Sequence, residues 1–179
     1  MNTEPRRDAL ANESYASMKL LIGKKVNYPS QGPCLIDAIE EKLIGGKRVT
    51  FYQLQVLNEG GGKLLVPANK VENVGIRPLL KKTEIPGLLE RLRRTSKSDL
   101  NCRDRIRLNM QLLATGSAFD LAEVVESLTD LREKKSLSFG ERKTLEKARC
   151  LLICEISEVL GETRTEAEVR INQALEKAC

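Results

Sequence analysis

Residues 51–67 read FYQLQVLNEGGGKLLVP, and this stretch decides the class of the first half of the chain. Phe51, Gln53 and Gln55 alternate with Tyr52, Leu54 and Val56, the two-residue period of a half-buried strand. Gly60-Gly61-Gly62 breaks the run, a second apolar run follows at Leu64 to Val66, and Pro67 stops it because proline has no N–H for a ladder. The glycines lie between two strands and lack the Lys-Ser/Thr ending of a phosphate loop, so they read as a turn.

Working outward toward the N-terminus, Val26 and Tyr28, then Cys34, Leu35, Ile36, Ala38 and Ile39, then Val49 form further short apolar runs. Pro29-Ser30-Gln31-Gly32-Pro33 and Gly45-Gly46 separate them as turn signals. Several short strands within about 60 residues predict a small, strongly bent sheet or barrel.

Toward the C-terminus the period changes to that of helices. Pro86 stands where a helix begins, ahead of Leu88, Leu89 and Leu92. Ser98 is read as the cap of a helix with Cys102, Ile106, Met110 and Leu113 on its core face, ending at Gly116. Ser117 opens the next, with Leu121, Val124, Val125 and Leu128 on one face. Ser138 with Glu141 is a capping box before Leu145, Ala148, Leu152, Ile156 and Leu160, closed by Gly161. Thr165 with Glu168 repeats the device before Val169, Ile171 and Leu175. These stripes face a core and mark no cofactor box. The fold expected is α+β in two domains, a small bent β module followed by a compact all-α bundle of about five helices. Residues 1–17 are polar and irregular and are read as a flexible extension, with domains at 18–78 and 79–179.

Composition removes several function classes. The chain has no His and no Trp, so the usual general base, the commonest zinc ligand and the Ser-His and Cys-His nucleophile pairs are missing. Cys34, Cys102, Cys150, Cys154 and Cys179 are odd in number and contain no CxxC pair. Cys150 and Cys154 lie one helical turn apart and read as small apolar core residues. No metal site and no cofactor is expected, and free thiols fit a reducing cytosol. No apolar run is long enough to span a membrane, and there is no signal-peptide pattern.

The net charge of +5 is concentrated between Arg77 and Arg107, where ten cations face four acids. Such a strip either holds a polyanion at one place or is a solvated helix face. It is richer in Arg than in Lys, which suits bidentate phosphate contact. Arg103 and Arg107 share a helix face, while Arg105 lies about 200° round from Arg103 at 100° per residue. Nothing marks a helix-turn-helix or zinc finger, and no aromatic platform lies in the strip, so backbone contact with weak sequence specificity is expected.

The two halves together resemble the CarD/CdnL family of bacterial RNA polymerase-binding transcription regulators. The resemblance runs through Gly23-Lys24-Lys25-Val26-Asn27-Tyr28-Pro29, Ile36-Asp37-Ala38-Ile39-Glu40, Val66-Pro67-Ala68-Asn69 and Val74-Gly75-Ile76-Arg77. It continues in Ala122-Glu123-Val124-Val125, Leu137-Ser138-Phe139-Gly140-Glu141-Arg142 and Ala148-Arg149. The order and spacing over two domains carry it, more than any one motif. It implies a Tudor-like first domain that docks the polymerase β subunit strand to strand, and a helical domain on promoter DNA near the upstream fork. The protein is then a non-enzymatic, monomeric, cytoplasmic and nucleoid-associated regulator of open-complex stability. Lys42 matches a basic polymerase contact, and Leu65, beside Pro67, falls where a second basic contact occurs in relatives. Arg103, Arg105, Arg107 and Arg142 are the expected DNA contacts. Cys102 aligns with a Trp that wedges into the minor groove in the family. Cysteine is too small to unstack a base step, so the wedge is weakened, or Leu100 or Ile106 replaces it, or the chain docks without propping the bubble. A buried helix residue is the other reading of Cys102. The competing function is a protein-interaction or ribosome/RNA-associated module.

Overall fold

A computed structural model describes residues 20–94 and 100–176. The N-terminal extension, Lys97, Ser98, Asp99 and Cys179 lie outside the described residues. The first module is an antiparallel sheet of β1 (Lys25–Tyr28), β2 (Gly32–Ile44), β3 (Lys47–Val56), β4 (Lys63–Pro67) and β5 (Arg77–Pro78), in the order β4-β3-β2-β1-β5. This is the bent Tudor-like meander expected. Gly45 and Gly46 form the two-residue β2–β3 loop with φ of 57° and 77°. Positive φ at both loop positions matches the twist of the paired strands, and glycine takes it without strain. A bulge between Ile36 and Ala38 shifts the β2–β3 register at Asp37. Tyr52, Leu54 and Val56 face inward as the alternation predicts, with Leu54 and Val56 buried beside Cys34, Ile36 and Val66. A short helix α1 (Val71–Val74) connects β4 to β5.

The second module holds α2 (Ile85–Arg93), α3 (Cys102–Thr115), α4 (Ala118–Lys134), α5 (Phe139–Leu160) and α6 (Arg164–Leu175). Its core is separate from that of the sheet and gathers Leu88, Leu92, Leu121, Val125, Leu128, Leu152, Ile156 and Ile171. Pro86 sits in the first turn of α2, Ser117 caps α4, and Ser138 with Glu141 forms the capping box of α5. Gly116 and Gly161 take left-handed conformations after α3 and α5.

Four expectations are corrected. The cap of α3 is Asn101, whose side chain accepts from the Asp104 N–H. The last capping box is Thr163 with Glu166, not Thr165 with Glu168. Both pairs have the right spacing, but after the Gly161 stop only Glu162 is left as linker, so Thr165 already lies inside the helix. Val169 is exposed while Ala167, Ile171 and Ala174 are buried. Finally, Cys102 and Met110 are exposed, Ile106 and Leu113 half-buried, and the fully buried residues of α3 are Arg105 and Asn109. The helix is turned by polar contacts, which apolar spacing does not reveal.

Of the cysteine pair, only Cys154 is buried; Cys150 is exposed. Burial, reinforced by the neighbouring Cys150, pushes the Cys154 thiol up to about 11. Among the described residues no cluster of metal-ligating side chains occurs and no helix is long and apolar enough to cross a membrane.

Candidate docking edge and nucleic-acid face

Strand β4 pairs only with β3, so one side of it is an open edge among the described residues. An unpaired edge presents backbone donors and acceptors to any strand that approaches. The register puts Leu65 opposite Gln53 and Pro67 opposite Phe51, and Lys42 opposite Val49. Strand alternation therefore sets Lys42, Phe51, Leu65 and Pro67 on the outer face, away from the core. They are not adjacent: the β3 partners of Lys42 and Leu65 are four positions apart. Lys42 is held against Glu40 at 3.1 Å, with its ammonium 5.8 Å from the Phe51 ring centre. Leu65 is 48% exposed.

The bulge directs Asp37 onto this same face, where it accepts from Gln53 at 2.6 Å and Lys63 at 3.0 Å. Lys63, first by hydrogen bond and then with Gln53, holds the Asp37 carboxyl below its ordinary range. Nearer the hairpin tip Ile44 is exposed on this face, while exposed Ile39 and Leu43, opposite Tyr52 and Arg48, lie on the other.

The helical module carries the cations, but not as one strip. Arg77 leaves the surface to pair with Glu155 at 2.6 Å. Arg91 pairs with Glu123 at 3.0 Å and Arg93 with Glu90 at 3.3 Å. Arg105 is 7% exposed, bonded through Nη2 and Nε to Glu141 at 2.6 and 3.0 Å and through Nη1 to the Leu100 carbonyl. Arg105, expected at the DNA, therefore turns its Nε, Nη1 and Nη2 into the protein, where they tie α3 to α5. Lys81, Lys82, Arg94, Arg103 and Arg107 remain exposed without ion pairs among the described residues.

Arg103 and Arg107 lie one turn apart on the side of α3 away from Arg105. Arg142 is exposed in the first turn of α5, next to the Glu141 that Arg105 grips. Cys102 opens α3 on the surface, which excludes the buried reading of that residue. Leu100, a candidate replacement for the wedge, is 40% exposed, whereas Ile106 is half-buried.

Two exposed apolar residues depart from the sequence reading: Phe139, which is given no contact role there, and Met110, which is placed on the core face of its helix. Phe139 is 66% exposed at the start of α5, with the Lys143 ammonium 4.6 Å from its ring centre, and Met110 is 62% exposed on α3. The signal for Phe139 was present: the residue after a Ser cap begins the helix outside the apolar stripe. Its place inside a capping box concealed it.

Burial alone would raise the Glu141 carboxyl. The Ser138 backbone N–H, the Arg105 guanidinium and the Ser138 hydroxyl outweigh it and hold Glu141 below the usual range. Glu141 is therefore held as the anion beside Arg105 at neutral pH.

Comparison with known proteins matches both modules. Residues 20–80 fit the family model described as CarD-like/TRCF RID domain, and residues 88–172 fit that described as CarD, C-terminal domain. The chain is 30% identical over 146 residues to the putative transcription factor YdeB of Bacillus subtilis (strain 168), covering 79% of this chain and 93% of that protein. The solution NMR structure of the 72-residue N-terminal domain of Myxococcus xanthus CarD is 38% identical, covering 35% of this chain and 83% of that one, with a TM-score of 0.29. Both halves match one family in the same order, and the full-length relative is spanned almost end to end, so the chain belongs to the CarD/CdnL family of bacterial RNA polymerase-binding transcription regulators, which are transcription factors and not enzymes.

Proposed function

We propose that the β module, residues 18–78, docks on the β subunit of RNA polymerase by strand addition at the β4 edge. Lys42, Leu65 and Pro67 then border the contact, and backbone pairing supplies affinity while the flanking side chains supply specificity. Leu65 replaces a basic contact with an apolar one, so this end of the interface depends less on salt.

The helical module, residues 79–179, contacts promoter DNA near the upstream fork. Arg103 and Arg107 on α3 and Arg142 on α5 reach phosphates, and the absence of base-reading geometry keeps sequence specificity weak. The observation that carries this reading is the sorting of the arginines. Arg77, Arg91 and Arg105 are held by carboxylates and Arg93 pairs only at the surface with Glu90, while Arg103, Arg107 and Arg142 are exposed without ion pairs among the described residues. Arginines clustered on one exposed helix face suit a polyanion. Phe139 and Met110 supply exposed apolar surface that Cys102 lacks, and an apolar group can lean on an unstacked base step. The chain acts as a monomer in the cytoplasm, on the nucleoid, and changes open-complex stability.

Promoter-opening kinetics with purified bacterial polymerase test this. The native chain changes the open-complex lifetime; Arg103→Ala with Arg107→Ala abolishes the change; Cys102→Trp enlarges it. A native chain that leaves the lifetime untouched, and that recovers ribosomal proteins instead of polymerase subunits in a pull-down, overturns the reading in favour of an RNA-associated module.

A further inference from the structure

The carbonyl of Gly116, at the C-terminal end of α3, accepts from three donors that all belong to the sheet. These are Asn27 Nδ2 at 3.2 Å, Arg77 Nε at 2.9 Å and Arg77 Nη2 at 2.7 Å. The same guanidinium bonds both oxygens of Glu155 on α5, at 2.6 and 2.7 Å, and Glu155 also accepts from the Leu80 N–H at 3.1 Å. Asn27 and Glu155 are buried, at 3% and 1% exposure. Pro29 sits on Gly116 so closely that a Cβ there would lie 2.8 Å from its Cα. One planar side chain therefore joins β5 to the end of α3 and the middle of α5.

Two further ion pairs cross between the modules, Lys25–Glu158 at 2.6 Å and Arg164–Glu59 at 3.1 Å, but they lie at the surface, whereas the Arg77 and Glu155 side chains are only 11% and 1% exposed. The two modules have separate apolar cores, and Arg77 reaches from one to the other. A buried ion pair is weak evidence for stability, and its best-attested use is to fix one register against alternatives. The helix it grips is also the one least fixed by apolar contact. The fully buried residues of α3 are Arg105 and Asn109, so polar contacts hold the helix at both ends, Glu141 near its start and the sheet at its finish. The last carbonyls of a helix lack intrahelical partners and carry partial negative charge, which a guanidinium complements.

We infer that Arg77, with Asn27, Glu155 and Gly116, is a positioning node that fixes the orientation of α3 to the β sheet, so that the β4 edge and the Arg103–Arg107 face engage their two partners at once. The functional half of this inference rests on the reading above; the mechanical half does not. Neither Arg77 nor Glu155 belongs to a contact surface. Removing the node leaves each surface intact and disturbs only their relation, as for two binding modules whose joint action depends on geometry.

The test uses the full chain with Arg77→Ala and Glu155→Ala together, so that no buried charge is left alone. Residual dipolar couplings read module orientation, and separate titrations read affinity for polymerase and for linear duplex DNA. The native chain fits one alignment tensor for both modules. The double variant is expected to keep dispersed spectra, to need two tensors and to bind each partner within about twofold of native. It should lose at least about tenfold of the effect on open-complex lifetime, the behaviour of a linked pair whose geometry is released. If the double variant does not fold, Arg77→Lys replaces it; lysine keeps a charge against Glu155 but cannot span Glu155 and Gly116 with one planar fork. A single tensor with a native lifetime effect in the variant overturns the inference. So does a native lifetime effect with two tensors. If the native chain itself binds no polymerase or no DNA, the functional reading falls, and the tensors still decide whether the node sets the orientation.

Discussion

Arg105 on α3 and Glu141 on α5 form a buried ion pair at 2.6 Å, and Glu141 at the same time accepts from the Ser138 N–H in the capping box of its own helix. One carboxylate thus closes the first turn of α5 and anchors α3 beside it. Arg105→Met leaves that carboxylate buried with its guanidinium partner gone. The expected cost is about 3 kcal/mol, the scale for breaking a buried pair from one side. Chemical denaturation measures it. A loss below about 0.5 kcal/mol, the range of ordinary surface substitutions, would show that Arg105 is not structural.

Arg103→Ala with Arg107→Ala has the opposite signature. Both side chains are exposed and have no ion pair among the described residues, so stability stays within about 0.5 kcal/mol of native. DNA affinity falls, and the slope of log K against log salt becomes shallower by up to about 1.8, near 0.9 for each lost phosphate contact. Titrations of a labelled duplex at several salt concentrations read the slope. A slope equal to that of the native chain removes these arginines from the interface.

The contrast between these neighbours explains what the sequence made legible. Residues 51–67 were readable because strand period, glycine turn and proline stop agree locally. The helix ends at Gly116 and Gly161 and the caps at Ser117 and Ser138 were readable for the same reason. The division of the arginines was not. Arg105 is silenced by Glu141, 36 positions away, and Arg77 by Glu155, 78 positions away, and no local pattern encodes those partners. Charge counted along the chain therefore overstated the cationic surface. The α3 stripe was misread for a related reason: apolar spacing placed Met110 inward, whereas the long-range polar contacts of Arg105 and Gly116 turn it outward.

Leu65→Glu tests the docking edge. The side chain stands on the outer face of an edge strand and is half exposed, so the fold tolerates the change. A buried carboxylate at a strand-addition interface is expected to weaken binding of the polymerase β subunit by at least tenfold, about 1.4 kcal/mol. Lys42→Ala, further along the same face, should weaken it less, because its ammonium is already shared with Glu40. Surface-immobilised β subunit gives both numbers. Native affinity in Leu65→Glu would exclude the β4 edge.

Gly116→Ala and Gly161→Ala form a matched pair. Both glycines have left-handed φ, 69° and 71°, and an alanine in that region costs about 1 kcal/mol. At Gly161 a Cβ meets nothing within 4 Å, whereas at Gly116 it lies 2.8 Å from Pro29. Gly116→Ala should therefore lose about 2–4 kcal/mol once overpacking is added, and Gly161→Ala only the conformational part. Equal losses in urea melts would mean that Pro29 yields freely and that the contact between modules is loose.

Acid sensitivity gives the last expectation, and its sign follows from the direction of the Glu141 shift. Glu141 is held below its ordinary range in the folded chain, and in the unfolded chain it returns to about 4.3. The unfolded state therefore binds the proton first as pH falls. The stabilisation is fully present above the unfolded value and is lost as pH drops through the folded one. Glu141→Gln removes it at every pH. The variant should be less stable than native at pH 7, and the two stability curves should converge below about pH 4. Asp37 and Glu166 are also held low, and they push the native chain in the same direction. They are present in both proteins, so their contribution cancels in the difference. Urea denaturation from pH 7 to pH 3 measures that difference, and a gap that stays constant across the range would show that Glu141 titrates normally and that its pairing with Arg105 does not survive in solution.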